Sequence, residues 1–400
     1  MDNGESRFIL LPMDRYDVAI VGGGGTGAAA AYDLALRGFS VALFEKGELT
    51  SGTTGRHHGQ LHSGARYAMG DVHIAHECMT ETRVLRRIAA DCIEYNQGLF
   101  LATDEEGSAM TDAFVAACRA ADISATEIPV ARALAMEKAI NPHILRSVLV
   151  PDGTIDAYRL AMSFFASAKK FGAAIFNFTE VLGIETKAAS CTSLRVRDLR
   201  SGKEISIAVD AIVNAAGPWA DKVAALAGAD LALTPAAGAM LAVRGRLCNM
   251  VISHLRPPTD GDIIVPQRKL SIIGSTQRRV ESPDGLLALK EEVALLLSEA
   301  DKLIPGFSRQ SFHAAWAAAR PLAGSSDDDG RNISRDIAVI DHAKGGGPRG
   351  LFSITGGKAT TLRVMGELGA DAVTQYLGER KPCRTAEFPL LNYTEYWRVP

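Results

Sequence analysis

The sequence has no C-x-x-C pair, no long uncharged apolar run and no excess of one charge. Its six cysteines (Cys78, Cys92, Cys118, Cys191, Cys248 and Cys383) stand singly. That spacing argues against a zinc or iron–sulfur site within the chain, and no metal ligands are assigned. No secretory pattern is present, because the apolar run 8–11 is too short for a signal core and ends at Pro12. The cysteines are expected to be reduced packing residues. No stretch reaches the ~18 apolar residues of a membrane-spanning helix. The nearest, 226–243, carries Asp230 and Pro235 and suits an interior strand and loop. The expected location is cytoplasmic, with peripheral attachment to the inner face of the membrane left open. The net charge is −3 and no Lys/Arg run stands out, which gives nucleic acid no footing. An anionic substrate must therefore be met by local arginines and lysines. No repeat is visible, and the acidic run 327–329 is expected to be a solvated loop.

What is present is an α/β pattern over 400 residues, long enough for two interleaved domains. Tyr16-Asp17-Val18-Ala19-Ile20-Val21 is a short β-rich run ending in Gly22-Gly23-Gly24-Gly25-Thr26-Gly27. An alanine-rich helix comes next over 28–37 with Gly38 as its C-cap, then a buried strand over 40–44 and Glu45. This opens a parallel sheet. Residues 50–68 are dense in Gly, Ser, Thr and His and are expected to form a long ordered loop at the active-site edge. Helices are expected over 73–90, 157–171, 285–303 and 359–376, and strands over 173–178, 209–214, 337–340 and 351–355.

Gly22, Gly24 and Gly27 satisfy G-x-G-x-x-G. The first allows the tight turn, the second lets backbone approach a pyrophosphate, and the third lets helix and strand pack closely. The helix start then offers N–H donors and a positive dipole end to phosphates, and Gly25 and Thr26 lie in the turn that leads to it. Glu45 is placed for ribose hydroxyls. A dinucleotide is therefore expected, and the segments beyond Glu45 favour FAD over NAD. The donor-rich stretch Thr53-Thr54-Gly55-Arg56-His57-His58-Gly59 suits a clasp for pyrophosphate and flavin. Ala215, Ala216 and Gly217 let backbone lie against a cofactor, and Gly356-Gly357-Lys358 lies between a strand and a helix. N–H dipoles there would stabilise the charge of reduced flavin.

These motifs, taken in order, carry a resemblance. They are Thr54-Gly55-Arg56 with Gly59, then Leu61-His62-Ser63-Gly64-Ala65-Arg66-Tyr67-Ala68, and Val150-Pro151-Asp152-Gly153-Thr154-Ile155-Asp156. Later come Val213-Asn214-Ala215-Ala216-Gly217, Arg320-Pro321-Leu322, Gly330-Arg331-Asn332-Ile333-Ser334-Arg335 and Ile354-Thr355-Gly356-Gly357-Lys358. Over about 16–377 the chain resembles the FAD-dependent glycerol-3-phosphate dehydrogenases, most of all the catalytic subunits of the anaerobic type. The resemblance implies a discontinuous Rossmann-like FAD domain of the amino-acid-oxidase type, over 14–90, 151–225 and 331–380. It implies a smaller substrate domain on an antiparallel sheet, over 91–150 and 226–330, and leaves 381–400 as a tail. It adds Lys46, Leu61, Val181, Ala359 and Thr360 to the cofactor set. It implies oxidation of sn-glycerol 3-phosphate to dihydroxyacetone phosphate, with electrons passed to quinone or a protein partner. Three residues depart from the pattern: His57 for Asn, Gln60 for an apolar residue and Leu362 for Tyr. The C-terminal iron–sulfur-type domain of the anaerobic enzymes has no counterpart before Pro400, which puts the usual electron partners in doubt.

Oxidising a secondary alcohol needs a base, a directed hydride and cations for the phosphate. His62 is the best candidate base because its ordinary pKa suits reversible proton transfer; the other reading is a structural histidine bonded to backbone. His57 and His58 are weaker candidates. Arg320 offers a bidentate fork to phosphate or to the developing carbonyl oxygen; its bland reading is a surface ion pair. Lys358, Arg66, Tyr67 and Arg335 complete the substrate set. The competing functions are oxidation of another polyol phosphate or a 2-hydroxy acid (the 2-hydroxyglutarate type), and a flavin-binding scaffold without turnover. The sequence leaves the oligomeric state undetermined.

Overall fold

The computed structural model describes residues 13–323 and 336–399. The sequence-predicted Arg335, the acidic run 327–329 and the apolar run 8–11 lie outside the described residues.

The first βαβ unit forms as its pattern predicts. Strand β1 (Arg15–Val21), helix α1 (Gly25–Leu36) and strand β2 (Val41–Phe44) succeed one another, with β1 and β2 parallel. Helix α1 carries almost no exposed face, because one side packs on the sheet and the other meets the helices Ala157–Lys170 and Leu362–Tyr376. Its run of alanines is what permits that close three-way packing.

Two large sheets organise the described chain. In the eight-stranded sheet, β1 lies between β2 and Glu204–Asn214, parallel to both. Leu351–Gly356 adds in parallel beside Glu204–Asn214, and the hairpin strands Thr179–Lys187 and Ser190–Asp198 close that side. The nine-stranded sheet centres on Leu233–Arg244, paired antiparallel with Phe312–Ala323 and Leu270–Gly274. It is antiparallel except where Val251–His254 joins Gly98–Ala102 in parallel. A small three-stranded sheet joins β3 (Gln60–Leu61), Gly153–Ile155 and Ile93–Glu94 between them.

The terminal segment packs on the eight-stranded side. Lys169 donates to the carbonyls of Tyr396 and Val399, and Phe165 meets the Tyr396 ring. No described helix is long and apolar enough to cross a membrane. All six cysteines are free and all but Cys383 are buried; burial pushes the Cys78 and Cys118 thiols up to about 12.

Some expected elements differ. The helix expected over 285–303 begins at Lys290, because Gly285 takes φ +64° and the Glu292 carboxylate accepts the Leu289 N–H, fixing the start there. The helix expected from 359 opens with a 3-10 turn, Ala359–Thr361, before Leu362–Tyr376. The expected loop over 50–68 contains two 3-10 turns and β3.

Candidate active site

A cavity of about 1210 Å³ runs along the C-terminal ends of β1 and β2 and between the two large sheets. It exceeds the ~300–1,000 Å³ of ordinary small-molecule sites, which suits a dinucleotide together with a substrate.

The glycine turn forms the floor. Gly22 sits at φ +114°, and a Cβ there would lie 2.5 Å from the Ala215 carbonyl oxygen. A Cβ at Gly27 would lie 2.0 Å from the Gly22 carbonyl oxygen, so helix and turn touch backbone to backbone. The Gly25 N–H donates to Thr54 Oγ1 at 2.9 Å, which ties the helix start to the loop expected to clasp the cofactor. The next N–H groups of the first turn have no partner within the helix and are left for phosphate. Glu45 accepts from the Gly23 N–H at 2.7 Å and the Gly47 N–H at 2.8 Å, and still lines the cavity. Each oxygen keeps a lone pair for a ribose hydroxyl.

Of the sequence-predicted cofactor residues, Gly22, Gly24, Gly25, Thr26, Glu45, Lys46, Thr53, Thr54, Arg56, Val181, Ala215, Ala216, Gly217, Gly356, Gly357, Lys358 and Ala359 line this cavity. Gly27, Gly55, Gly59, Leu61 and Thr360 do not. They stand behind the wall and shape it. Gly55 donates its N–H to the Thr50 carbonyl, Gly59 turns at φ +86°, and Leu61 is fully buried in apolar core. Thr360, also fully buried, accepts the His62 N–H on Oγ1 at 3.0 Å.

That last bond joins the histidine loop to the glycine–lysine turn. The His62 carbonyl is held from its other side by Thr82 Oγ1 at 2.8 Å. The ring itself is bonded to no described group; it faces the cavity, 5.6 Å from the Tyr67 ring and 5.9 Å from the His58 ring, centroid to centroid. Backbone contacts thus fix where His62 sits and leave its nitrogens to the site. Burial, then His58, Arg66 and Lys358, hold its pKa well below 6.5, so the ring is neutral and able to accept a proton. On either side of it in sequence, Ser63 and Gln60 are anchored on one buried carboxylate. Asp152 accepts from the Ser63 N–H and Oγ, both at 2.7 Å, and from Gln60 Nε2 at 2.9 Å. The side chain of Gln60, unusual for the resembled pattern, is explained by that anchor.

The cations arrive from separate elements. Arg320, on Phe312–Ala323, lies over Gly238, where a Cβ would meet Nη2 at 2.5 Å. Its Nη2 donates to Ser275 Oγ at 2.6 Å and to the Thr276 carbonyl at 3.1 Å. It is a half-buried residue that lines the cavity. Lys358 Nζ lies 5.1 Å from the Tyr67 ring centroid. Arg66 lines the cavity but pairs with buried Asp262 at 2.6 Å. Sequence reading missed Ser275, Thr276 and Asp262. The polar run Ser275-Thr276-Gln277 after the apolar Leu270–Gly274 strand was the one signal available for the first two.

Trp219 and Lys222, which also line the cavity, both donate to Asp284, at 2.7 and 3.0 Å. Lys46 Nζ stands 5.3 Å from the Trp219 ring centroid.

The fold and this site define an FAD-dependent oxidoreductase, and the chain belongs to that family: the FAD dependent oxidoreductase family model matches residues 17–372. Within it the chain groups with the A subunits of anaerobic glycerol-3-phosphate dehydrogenases. It is 41% identical over 377 residues to the A subunit of the Escherichia coli K12 enzyme, covering 94% of this chain and 70% of that protein. It is 37% identical over 385 residues to the A1 subunit of the Haloferax volcanii enzyme, covering 93% of this chain and 66% of the relative. Among solved structures, glycine oxidase from Geobacillus kaustophilus superposes with TM-score 0.75 at 25% identity, covering 94% of this chain and 98% of the other. The glycerol-3-phosphate dehydrogenase from Bacillus halodurans complexed with FAD gives 0.74 at 22% identity, covering 96% and 70%. The cofactor is FAD. The glycine cradle at Gly22 and Gly27, where a Cβ would strike backbone, fits it.

Proposed function

We propose that the protein oxidises sn-glycerol 3-phosphate to dihydroxyacetone phosphate. The observation that carries this is that a neutral imidazole, His62, lines one FAD-sized cavity together with Arg320 and Lys358. His62 takes the C2 hydroxyl proton. Arg320 offers the phosphate its fork while Ser275 and Thr276 hold the guanidinium in place. Lys358 adds a second cation, and Tyr67 and Arg66 complete the pocket, with Arg66 acting beside Asp262 rather than as a lone charge. The chemistry that FAD supplies when bound is acceptance of the C2 hydride at N5. Glu45, the glycine turn, Thr54 and the Gly356–Lys358 turn hold the cofactor. The segments of the eight-stranded sheet make the cofactor domain, and those of the nine-stranded sheet the substrate domain. The relatives are named as subunits, which supports passage of the electrons to a protein partner; a quinone as the final acceptor and attachment to the membrane surface belong to the same proposal.

The test is anaerobic titration of the purified, FAD-loaded protein with sn-glycerol 3-phosphate, tracking the flavin's visible absorbance. Bleaching by this substrate, and not by 2-hydroxyglutarate or glycine, is expected. Bleaching by a 2-hydroxy acid alone would replace the proposal, since the same arginine fork binds a carboxylate.

A further inference from the structure

His57 and His58 stand side by side and offer different things. Each accepts a backbone N–H on Nδ1: from Gly59 to His57 at 2.9 Å, and from Gln60 to His58 at 3.2 Å. A backbone N–H only donates, so in the neutral rings Nδ1 is bare and the proton sits on Nε2. In His57 that Nε2 is buried and meets no acceptor among the described residues. The His58 ring lines the cavity, with Cδ2, the atom next to Nε2, 3.6 Å from where a Gly274 Cβ would stand. It also meets the His62 ring edge to face, centroids 5.9 Å apart and planes at 75°.

The donor that sets this tautomer is itself fixed. Gln60 belongs to β3, pairs across to Thr154, and is anchored by its side chain on Asp152 at 2.9 Å. Burial, together with His57, Arg320 and Arg66, lowers the His58 pKa to about 3, so the ring stays neutral.

We propose that His58 is a second catalytic residue, donating through Nε2–H to the oxygen on the carbon being oxidised while His62 accepts that oxygen's proton. This rests on the reading of the site as an alcohol dehydrogenase. In the balanced step, the C–H electron pair leaves as hydride to the cofactor, the O–H proton passes to His62, and the C=O bond forms. His58 gains and loses nothing. Its neutral N–H opposes the negative charge that gathers on oxygen as the proton leaves, and a donor so aimed is worth about 10²–10³ in rate.

The experiment compares His58→Leu with His58→Gln in the FAD-loaded full chain. Gln keeps an amide N–H near the place of Nε2; Leu keeps bulk alone. With sn-glycerol 3-phosphate, Leu is expected to slow flavin reduction about 100-fold while half-saturation moves less than about threefold, and Gln to recover at least about tenfold of the loss. An unaffected Leu variant, or a Gln variant no better than Leu, overturns the proposal. If the wild type is bleached only by a 2-hydroxy acid, the substrate reading falls and the two variants are compared on that acid. A readout independent of turnover is the ¹⁵N spectrum of the histidine-labelled protein, with His58 assigned by its loss in either variant. A neutral Nε2–H form from about pH 5 to 8 is expected. An Nδ1–H form or an imidazolium in that range overturns the proposal whatever the substrate.

Discussion

Arg66 and Asp262 are joined by a 2.6 Å ion pair in which the carboxylate is almost wholly buried, 1% exposed. The same carboxylate meets Arg256 at 2.7 Å and accepts the Thr259 N–H at 2.6 Å. Asp262 is therefore the shared counter-ion of two arginines. Asp262→Ala leaves both without it, and breaking a buried pair from one side costs about 3–5 kcal/mol. Equilibrium unfolding in urea is expected to show that loss. Arg66→Ala should raise KM only modestly, because Asp262 already opposes its charge; a large rise would mean that Asp262 does not screen it.

Arg320 is held by Ser275 and Thr276 rather than by the sheet it grows from. Removing a buried charge-assisted contact to phosphate costs about 2–5 kcal/mol, so Arg320→Ala should lower kcat/KM by at least about 30-fold. FAD content should not change, as the groups that hold Arg320, Ser275 and Thr276, lie outside the glycine turn and the Glu45 strand end. Wild-type kinetics in this variant would remove Arg320 from the substrate site.

Gly22 is unsubstitutable for a local reason. It sits at φ +114°, and the atoms a Cβ would strike, Ala215 O at 2.5 Å and Ala215 C at 2.7 Å, are backbone. Gly22 and Ala215 each follow directly on one of two neighbouring strands locked in register, Val21 opposite Asn214. Gly22→Ala is expected to cost about 3 kcal/mol or more and to yield colourless protein. Gly38 is the control: its φ is +86° but nothing lies within 4 Å, so Gly38→Ala should cost only about 1–2 kcal/mol and leave the flavin in place. Flavin absorbance per mole of protein checks both.

The histidines set the acid limits. Burial holds His57 at about 4, and His58 at about 3, both below the ordinary 6.5; His254, in the Arg256–Asp262–Glu299 cluster, is also lowered to about 4. Each folded pKa is depressed, so the unfolded chain binds the proton first. The stability these rings contribute is complete above pH 6.5 and is lost as pH falls toward 4, at about 1.4 kcal/mol per unit for each ring. Melting temperature should fall steeply between pH 6.5 and 5, and less steeply in His254→Asn. For His62 the same depression means that the acid limb of kcat/KM lies well below 6.5. Lys358→Gln, which removes one of the cations lowering it, should move that limb upward.

The sequence by itself determined the cofactor end. Strand, glycine turn, helix and acidic strand end are contiguous within 15–45, and local backbone sterics make that order mean one thing: only glycine fits at Gly22 and Gly27. His62, Arg320 and Lys358 were also legible, as residue types inside motifs. Only the tertiary structure decided what those residues are worth. It set Asp262 against Arg66, tied His62 to Thr360 across 298 positions of chain, and moved Gly59, Leu61 and Thr360 behind the wall. It also gave neighbouring His57 and His58, which both line the cavity, unlike partners: the His57 Nε2 is buried and the His58 ring meets His62. The physical reason is range. Steric limits on φ and ψ act between adjacent residues and are written in the order of the chain. Burial, ion pairing and tautomer choice depend on groups brought together by sheet register, which no local pattern encodes.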